Sequence, residues 1–197
     1  TLNLSNQASG TMTMTMDVTG DNAATTVATT VAGTADSLAF NVTAVGTANS
    51  AAATLASNAS AVSLATSGYE TIAVTSAGTA ANLINLNTAV GAATITASGT
   101  ALTISDVAAA TTSIDGSAMT GALNLTTTSA GTSALASIKG GSGDDTLNVN
   151  ATDLSASVAI DGGAGSDTLS LTGAGLTMAP TITLVEKLDV TSVTGTS

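Results

Sequence analysis

Apolar and polar residues alternate one for one in several short stretches: Met12-Thr13-Met14-Thr15-Met16-Asp17-Val18, Leu38-Ala39-Phe40-Asn41-Val42, Leu123-Asn124-Leu125 and Ile182-Thr183-Leu184. A period of two sends neighbouring side chains to opposite faces of an extended chain, so each stretch predicts a half-buried β-strand. Between them stand Ser9-Gly10, Gly20-Asp21-Asn22, Asp115-Gly116-Ser117 and Gly173-Ala174-Gly175, clusters that favour turns. Pro180, the one proline, precedes the last stretch, where its missing N–H does no harm. β-branched Thr, Val and Ile recur while Glu, Lys and Gln are sparse and Arg is absent, which favours strand over helix.

Two internal repeats organise these strands. Gly140-Gly141-Ser142-Gly143-Asp144-Asp145-Thr146-Leu147-Asn148 returns without insertion or deletion as Gly162-Gly163-Ala164-Gly165-Ser166-Asp167-Thr168-Leu169-Ser170. A longer-range echo pairs Tyr69-Glu70-Thr71-Ile72-Ala73-Val74-Thr75-Ser76 with Val185-Glu186-Lys187-Leu188-Asp189-Val190-Thr191-Ser192. If one coil of chain returns the second loop directly above the first, about 4.8 Å away, the fold is all-β. The specific expectation is a parallel β-solenoid, a β-helix or β-roll, with coils of about 20 to 25 residues and almost no helix. Residues 1–137 form its Ala/Thr-rich region, and residues 138–197 form loop-bearing coils continuous with it. The stretch from Asp21 to Ser67 can also be read as a low-complexity linker, but the Leu38 to Val42 alternation and the scarcity of proline favour strands.

Both nine-residue segments fit Gly-Gly-x-Gly-x-Asp-x-hydrophobic-x, the calcium-binding β-helix repeat of RTX proteins. Glycines let the backbone curl so that carbonyl oxygens turn inward, the aspartate adds a charged oxygen, and the apolar residue starts a core-facing strand. The candidate ligands of Ca2+ are therefore the Asp145 and Asp167 carboxylates with the loop backbone at Gly141, Gly143, Gly163 and Gly165. Asp144 and Asp161 flank the loops as further candidates, and Leu147 and Leu169 are the core anchors. The return half, Val149 to Asp161, has no glycine-rich loop, so calcium is expected along one side only. An ordinary turn is the competing reading of one copy; two complete copies at coil spacing favour calcium.

Composition narrows the function. Hydrophobic residues make up 44% of the chain but include one Phe, one Tyr and no Trp, so the core must be thin. Two Lys and no Arg against 13 acids give a formal charge of −11, which excludes a phosphate-neutralising nucleic-acid binder and an anionic-membrane binder. Seven of the 13 carboxylates lie between Asp144 and Asp189, a concentration of hard oxygen ligands. With no His and no Cys, a Ser-His-Asp triad, a Cys-His pair and a His-ligated zinc site are impossible in this chain. Carbohydrate subsites want aromatic platforms or Arg, which are nearly missing. No run of about 20 apolar residues offers a membrane span, and the start at Thr1 is expected to be internal to a longer protein.

The run Thr112-Ser113-Ile114-Asp115-Gly116-Ser117-Ala118-Met119-Thr120-Gly121, followed by Ile138-Lys139-Gly140-Gly141, resembles RTX-type S-layer proteins of Gram-negative bacteria. The Ala/Thr/Ser/Gly composition, the lack of Cys and the Val-Glu-x-Leu-x-Val-Thr-Ser segment are similar to theirs as well. The resemblance implies type I secretion, folding on calcium outside the cell and self-assembly of copies into a lattice at the bacterial surface. It also implies an anchor region, outside this sequence, with cell-surface polysaccharide as a candidate partner. The expected function is structural rather than enzymatic. An RTX adhesin or fibrous stalk is the alternative, and a non-catalytic calcium module of a secreted enzyme a further one. Glu70 and Glu186 are expected to end a turn before a strand.

Overall fold

The computed structural model describes residues 2–7, 11–19, 25–31, 37–45, 62–67, 71–78, 81–87, 89–90, 93–127, 135–173 and 179–191, with side chains at 71–76, 81–87, 93–127, 135–173 and 179–191. The chain winds as a parallel β-solenoid between two sheets. One sheet stacks β1 (Leu2–Gln7), β3 (Thr25–Val31), β5 (Val62–Ser67), β7 (Asn82–Leu86), β10 (Leu102–Val107), β12 (Leu123–Thr126), β14 (Thr146–Asn150), β16 (Thr168–Thr172) and β18 (Lys187–Thr191) in that order, with the short β8 (Ala89–Val90) beside β5. The other stacks β2 (Thr11–Thr19), β4 (Ser37–Val45), β6 (Thr71–Gly78), β9 (Thr94–Gly99), β11 (Ser113–Met119), β13 (Leu135–Lys139), β15 (Leu154–Asp161) and β17 (Thr181–Thr183). Every pairing among the described residues is parallel, and the helix described there is one 3-10 turn at Ala151–Asp153.

The coil length follows from the register. Thr71 pairs Thr94, Thr94 pairs Ser113, Ser113 pairs Ser137, Ser137 pairs Ala159 and Ala159 pairs Thr181, so the coils from β6 onward recur at a nearly even interval. An earlier coil is longer, since Ser37 pairs Thr71 and Thr25 pairs Val62. The extra length falls between β4 and β5, outside the described residues.

One isoleucine column runs up the second sheet, because Ile72 pairs Ile95, Ile95 pairs Ile114, Ile114 pairs Ile138, Ile138 pairs Ile160 and Ile160 pairs Ile182. Across the core the first sheet answers with Ile84, Ile104, Leu125, Leu147, Leu169 and Leu188. All but the last rung of these columns are buried. Identical or similar side chains at one strand spacing pack without gaps, which lets a two-layer core stand on aliphatic residues alone.

Three local expectations change. Asp115-Gly116-Ser117 is not a turn but part of β11, with the register slipping between Asp115 and Ala118; the bulge takes up the flexible sequence inside the strand. Leu184 does not continue β17: it sits at φ 51, 60% exposed, where the chain turns toward β18. The longer-range echo joins positions that are not equivalent in the coil, since β6 belongs to one sheet and β18 to the other. Ser9-Gly10, Gly20-Asp21-Asn22, Glu70 and Ala174-Gly175 lie outside the described residues.

Ile138, flanked in its column by the buried Ile114 and Ile160, carries the packing. Ile138→Ala is expected to cost about 2–5 kcal/mol in urea unfolding, and Thr181→Ala, on an exposed strand position, no more than about 0.5 kcal/mol.

Candidate metal site

The two glycine-rich loops lie one above the other at the corner between the sheets. Each follows a strand of the second sheet, β13 or β15, and leads into a strand of the first, β14 or β16; Thr146 pairs Thr168 and Leu147 pairs Leu169 as the loops end. Contact between the loops is direct: Ala164 donates its N–H to the Gly141 carbonyl at 2.9 Å, and Ser166 donates to Asp144 Oδ1 at 2.9 Å. Gly163 and Gly165 hold φ of 100° and 129°. A Cβ at either would run into the Gly141 or Gly143 carbonyl oxygen of the loop below, so glycine is required twice over.

The motif aspartates of the two loops reach down one coil. Asp145 Oδ1 accepts the Leu123 N–H at 2.7 Å while its Oδ2 accepts the Gly141 N–H at 2.6 Å. Asp167 Oδ1 accepts the Asp145 N–H at 2.8 Å. Glu186 Oε2 then accepts the Asp167 N–H at 2.7 Å. Each carboxylate thus satisfies a backbone donor in the coil beneath it, at the corner where the strand ladder has not yet begun. Glu186 follows Asp167 sooner than Asp167 follows Asp145, because a short turn through Leu184 replaces the glycine-rich loop. Its additional methylene relative to Asp accompanies this shortened turn.

Asp145 and Asp167 are each 1% exposed. Burial pushes the Asp145 carboxyl above its ordinary value, against the lowering effect of the Leu123 and Gly141 N–H groups, and the Asp167 and Asp144 charges raise it further. Burial likewise raises Asp167; the Asp145 N–H opposes this, and the Glu186, Asp144 and Asp161 charges add to it. Asp115 behaves oppositely, lowered by hydrogen bonds from the Ser117 hydroxyl and N–H. Asp167 Oδ2 and Asp161 Oδ1 are buried and accept no hydrogen bond.

No family model, curated protein or solved structure matches the chain.

The chemistry of the corner therefore rests on its own atoms. Asp161 Oδ1 and Asp167 Oδ2 are the oxygens beside the upper loop left without a donor, and a hard cation is the kind of ligand that would use them. Asp145 already has an N–H on each oxygen and Asp144 caps Ser166, so the lower loop is the better satisfied of the two. Among the described residues no three acidic side chains converge in a group that could hold a metal, so backbone carbonyls would have to complete any shell. Sequence reasoning placed Asp144, Asp145, Asp161, Asp167 and the four glycines at one corner, but assigned Glu186 no role beyond ending a turn. The signal that could have found it is an acid directly before a strand that continues the Leu147–Leu169 column at Leu188.

Asp145 and Asp167 should respond oppositely to the same substitution. Asp145→Asn sets a side-chain NH2 against one of two buried N–H donors and is expected to cost about 1–3 kcal/mol in urea unfolding without metal. Asp167→Asn keeps the acceptor for the Asp145 N–H and removes a buried, unpaired charge, so it is expected to be neutral or stabilising in the same assay.

The raised carboxyls also set a pH dependence. A group whose pKa is raised by folding holds its proton more tightly in the fold, so its destabilising effect is felt at neutral pH and relieved as pH falls through the raised value toward 3.8. Hydrogen exchange of the two loops without metal should therefore slow on mild acidification in the parent, beyond the intrinsic pH effect on exchange, and slow less in Asp167→Asn.

Proposed function

We propose that this chain is a non-catalytic, structural segment of a bacterial surface layer, secreted and completed by calcium outside the cell. The observation that carries the reading is the pair of complete nine-residue loops on adjacent coils, with a buried Asp167 oxygen unpartnered in the company of the Glu186, Asp144 and Asp161 charges. Asp167 and Asp161 would hold the ion with help from loop carbonyls. Bound there, it would supply charge neutralisation to a corner where acids gather and to which burial denies water.

Low calcium inside a cell leaves that repulsion unrelieved, and millimolar calcium outside relieves it, so the corner tightens after export. The backbone supports a structural rather than a recognitive role. Where side chains are described, aliphatic columns fill the inside and Ser and Thr recur on the outside beside the exposed Leu184, Leu188 and Val190, and no aromatic side chain stands among them. An adhesin or stalk would share the calcium corner, and differs in that its copies need not associate.

A site of about 10⁻⁴ M affinity at millimolar calcium stabilises a fold by roughly 1.4 kcal/mol. Thermal unfolding in chelator and in millimolar calcium is expected to show a rise of that size in the parent and little in a chain carrying both Asp161→Asn and Asp167→Asn. Equal midpoints with and without calcium in the parent would remove the ion from the account.

A further inference from the structure

The short turn that replaces a third glycine-rich loop stands in register with the first two. Lys139 pairs Asp161 and Asp161 pairs Thr183, while Thr146 pairs Thr168 and Thr168 pairs Lys187. Leu184-Val185-Glu186 therefore crosses the corner that Gly140–Asp145 and Gly162–Asp167 cross in the coils before it. Leu184 takes the place of the first glycine and Glu186 that of the motif aspartate, although the turn does not fit the motif.

Oxygens meet in the same way at two levels of this corner. A Cβ at Gly140 would run into the Gly162 carbonyl oxygen and Asp145 Oδ2, and a Cβ at Gly162 would run into the Leu184 carbonyl oxygen and Asp167 Oδ2. At each level a carbonyl from the coil above and a carboxylate of the same loop lie against one glycine. The difference is the donor. Asp145 Oδ2 accepts the Gly141 N–H at 2.6 Å. Gly163, the counterpart of Gly141, is turned to φ 100, and Asp167 Oδ2 accepts no hydrogen bond although its side chain is 1% exposed. A carboxylate oxygen and a carbonyl oxygen brought together without a donor attract positive charge.

Leu184 supplies an independent observation. At φ 51 it is the one non-glycine residue at positive φ among the described residues, in a region that is sterically costly for leucine. Its side chain is 60% exposed, so burial of that side chain does not account for the conformation. What the turn does is bring the Leu184 carbonyl against Gly162, beside Asp167 Oδ2, while Glu186 Oε2 holds the turn to the Asp167 N–H at 2.7 Å.

We propose that the cation of the corner binds above the second glycine-rich loop, between Asp167 Oδ2 and the Leu184 carbonyl oxygen, so that the Leu184–Glu186 turn forms half of the site. The inference rests on the reading of the corner as a calcium site, and it specifies the ligand that the motif leaves out. Asp161, directly before Gly162, adds its charge, and water completes the shell of a cation that takes about six to eight oxygens. The lower level holds no ion, because the Gly141 N–H already serves Asp145 Oδ2.

The test titrates calcium into the full chain labelled with 13C and 15N, following backbone carbonyl and side-chain carboxyl carbons, with calorimetry alongside. The Leu184 carbonyl and the Asp167 carboxyl are expected to shift together and saturate at one calcium concentration while the Gly162 carbonyl stays in place. Leu184→Gly, which holds a positive φ readily, is expected to keep the parent's affinity. Leu184→Pro, locked near φ −65°, is expected to bind at least about tenfold more weakly. Hydrogen exchange at Leu147 and Leu169 checks that the buried coils of the proline variant stay folded; if they do not, the carbonyl shifts of the parent decide. Calcium that shifts the Gly162 carbonyl and leaves Leu184 still lies between the two glycine-rich loops, which overturns the inference and keeps the calcium reading. Equal affinity in a folded Leu184→Pro overturns it as well. Neither heat nor shift at millimolar calcium overturns both, and the space beside Asp167 then belongs to water.

Discussion

A parallel stack must give every backbone N–H an acceptor in the coil beside it. Strands do so through their ladders, but the corner residues that precede a strand fall outside them. Here carboxylates close that gap: Asp145 before β14, Asp167 before β16 and Glu186 before β18 each accept an N–H from the coil below. The rest of the corner is shaped around this chain of bonds. Glycines at 163 and 165 let one loop lie directly on the next, and Leu147 and Leu169 enter the core just after each aspartate. The arrangement has an electrostatic consequence, because stacking the acceptors also stacks their charges.

That consequence links the fold to its chemistry. Asp145 meets two donors, whereas Asp167 meets one and shares its surroundings with Asp144, Asp161 and Glu186. A cation at the upper loop would be bound by a need the backbone does not meet. The crowding is local to the loops: on β18 the charged side chains are Lys187 and Asp189, ion-paired at 2.8 Å, beside the half-exposed Leu188 and Val190.

Much of the fold was legible because the two glycine-rich loops recur at one constant offset, which the register between β14 and β16 reproduces residue by residue. The isoleucine column was not, since Ile72, Ile95, Ile114, Ile138, Ile160 and Ile182 are spaced unevenly and align only once bulges such as that in β11 absorb the differences. The echo between Tyr69–Ser76 and Val185–Ser192 reflects what any strand entry after an acid looks like, not a shared place in the coil. At the corner, the motif identified which aspartates matter but not where their oxygens point. A backbone acceptor and a metal ligand call for the same residue type, and only geometry separates an oxygen facing an N–H from one facing nothing.

The carboxylates are acceptors built into the fold before any ion arrives, and amide hydrogen exchange of the metal-free chain tests this at single residues. The Leu123, Asp145 and Asp167 amides are expected to exchange as slowly as those of the buried Leu147 and Leu169, although they stand at or before the strand starts. Fast, loop-like exchange at these three amides, with protection appearing only on adding calcium, would contradict it.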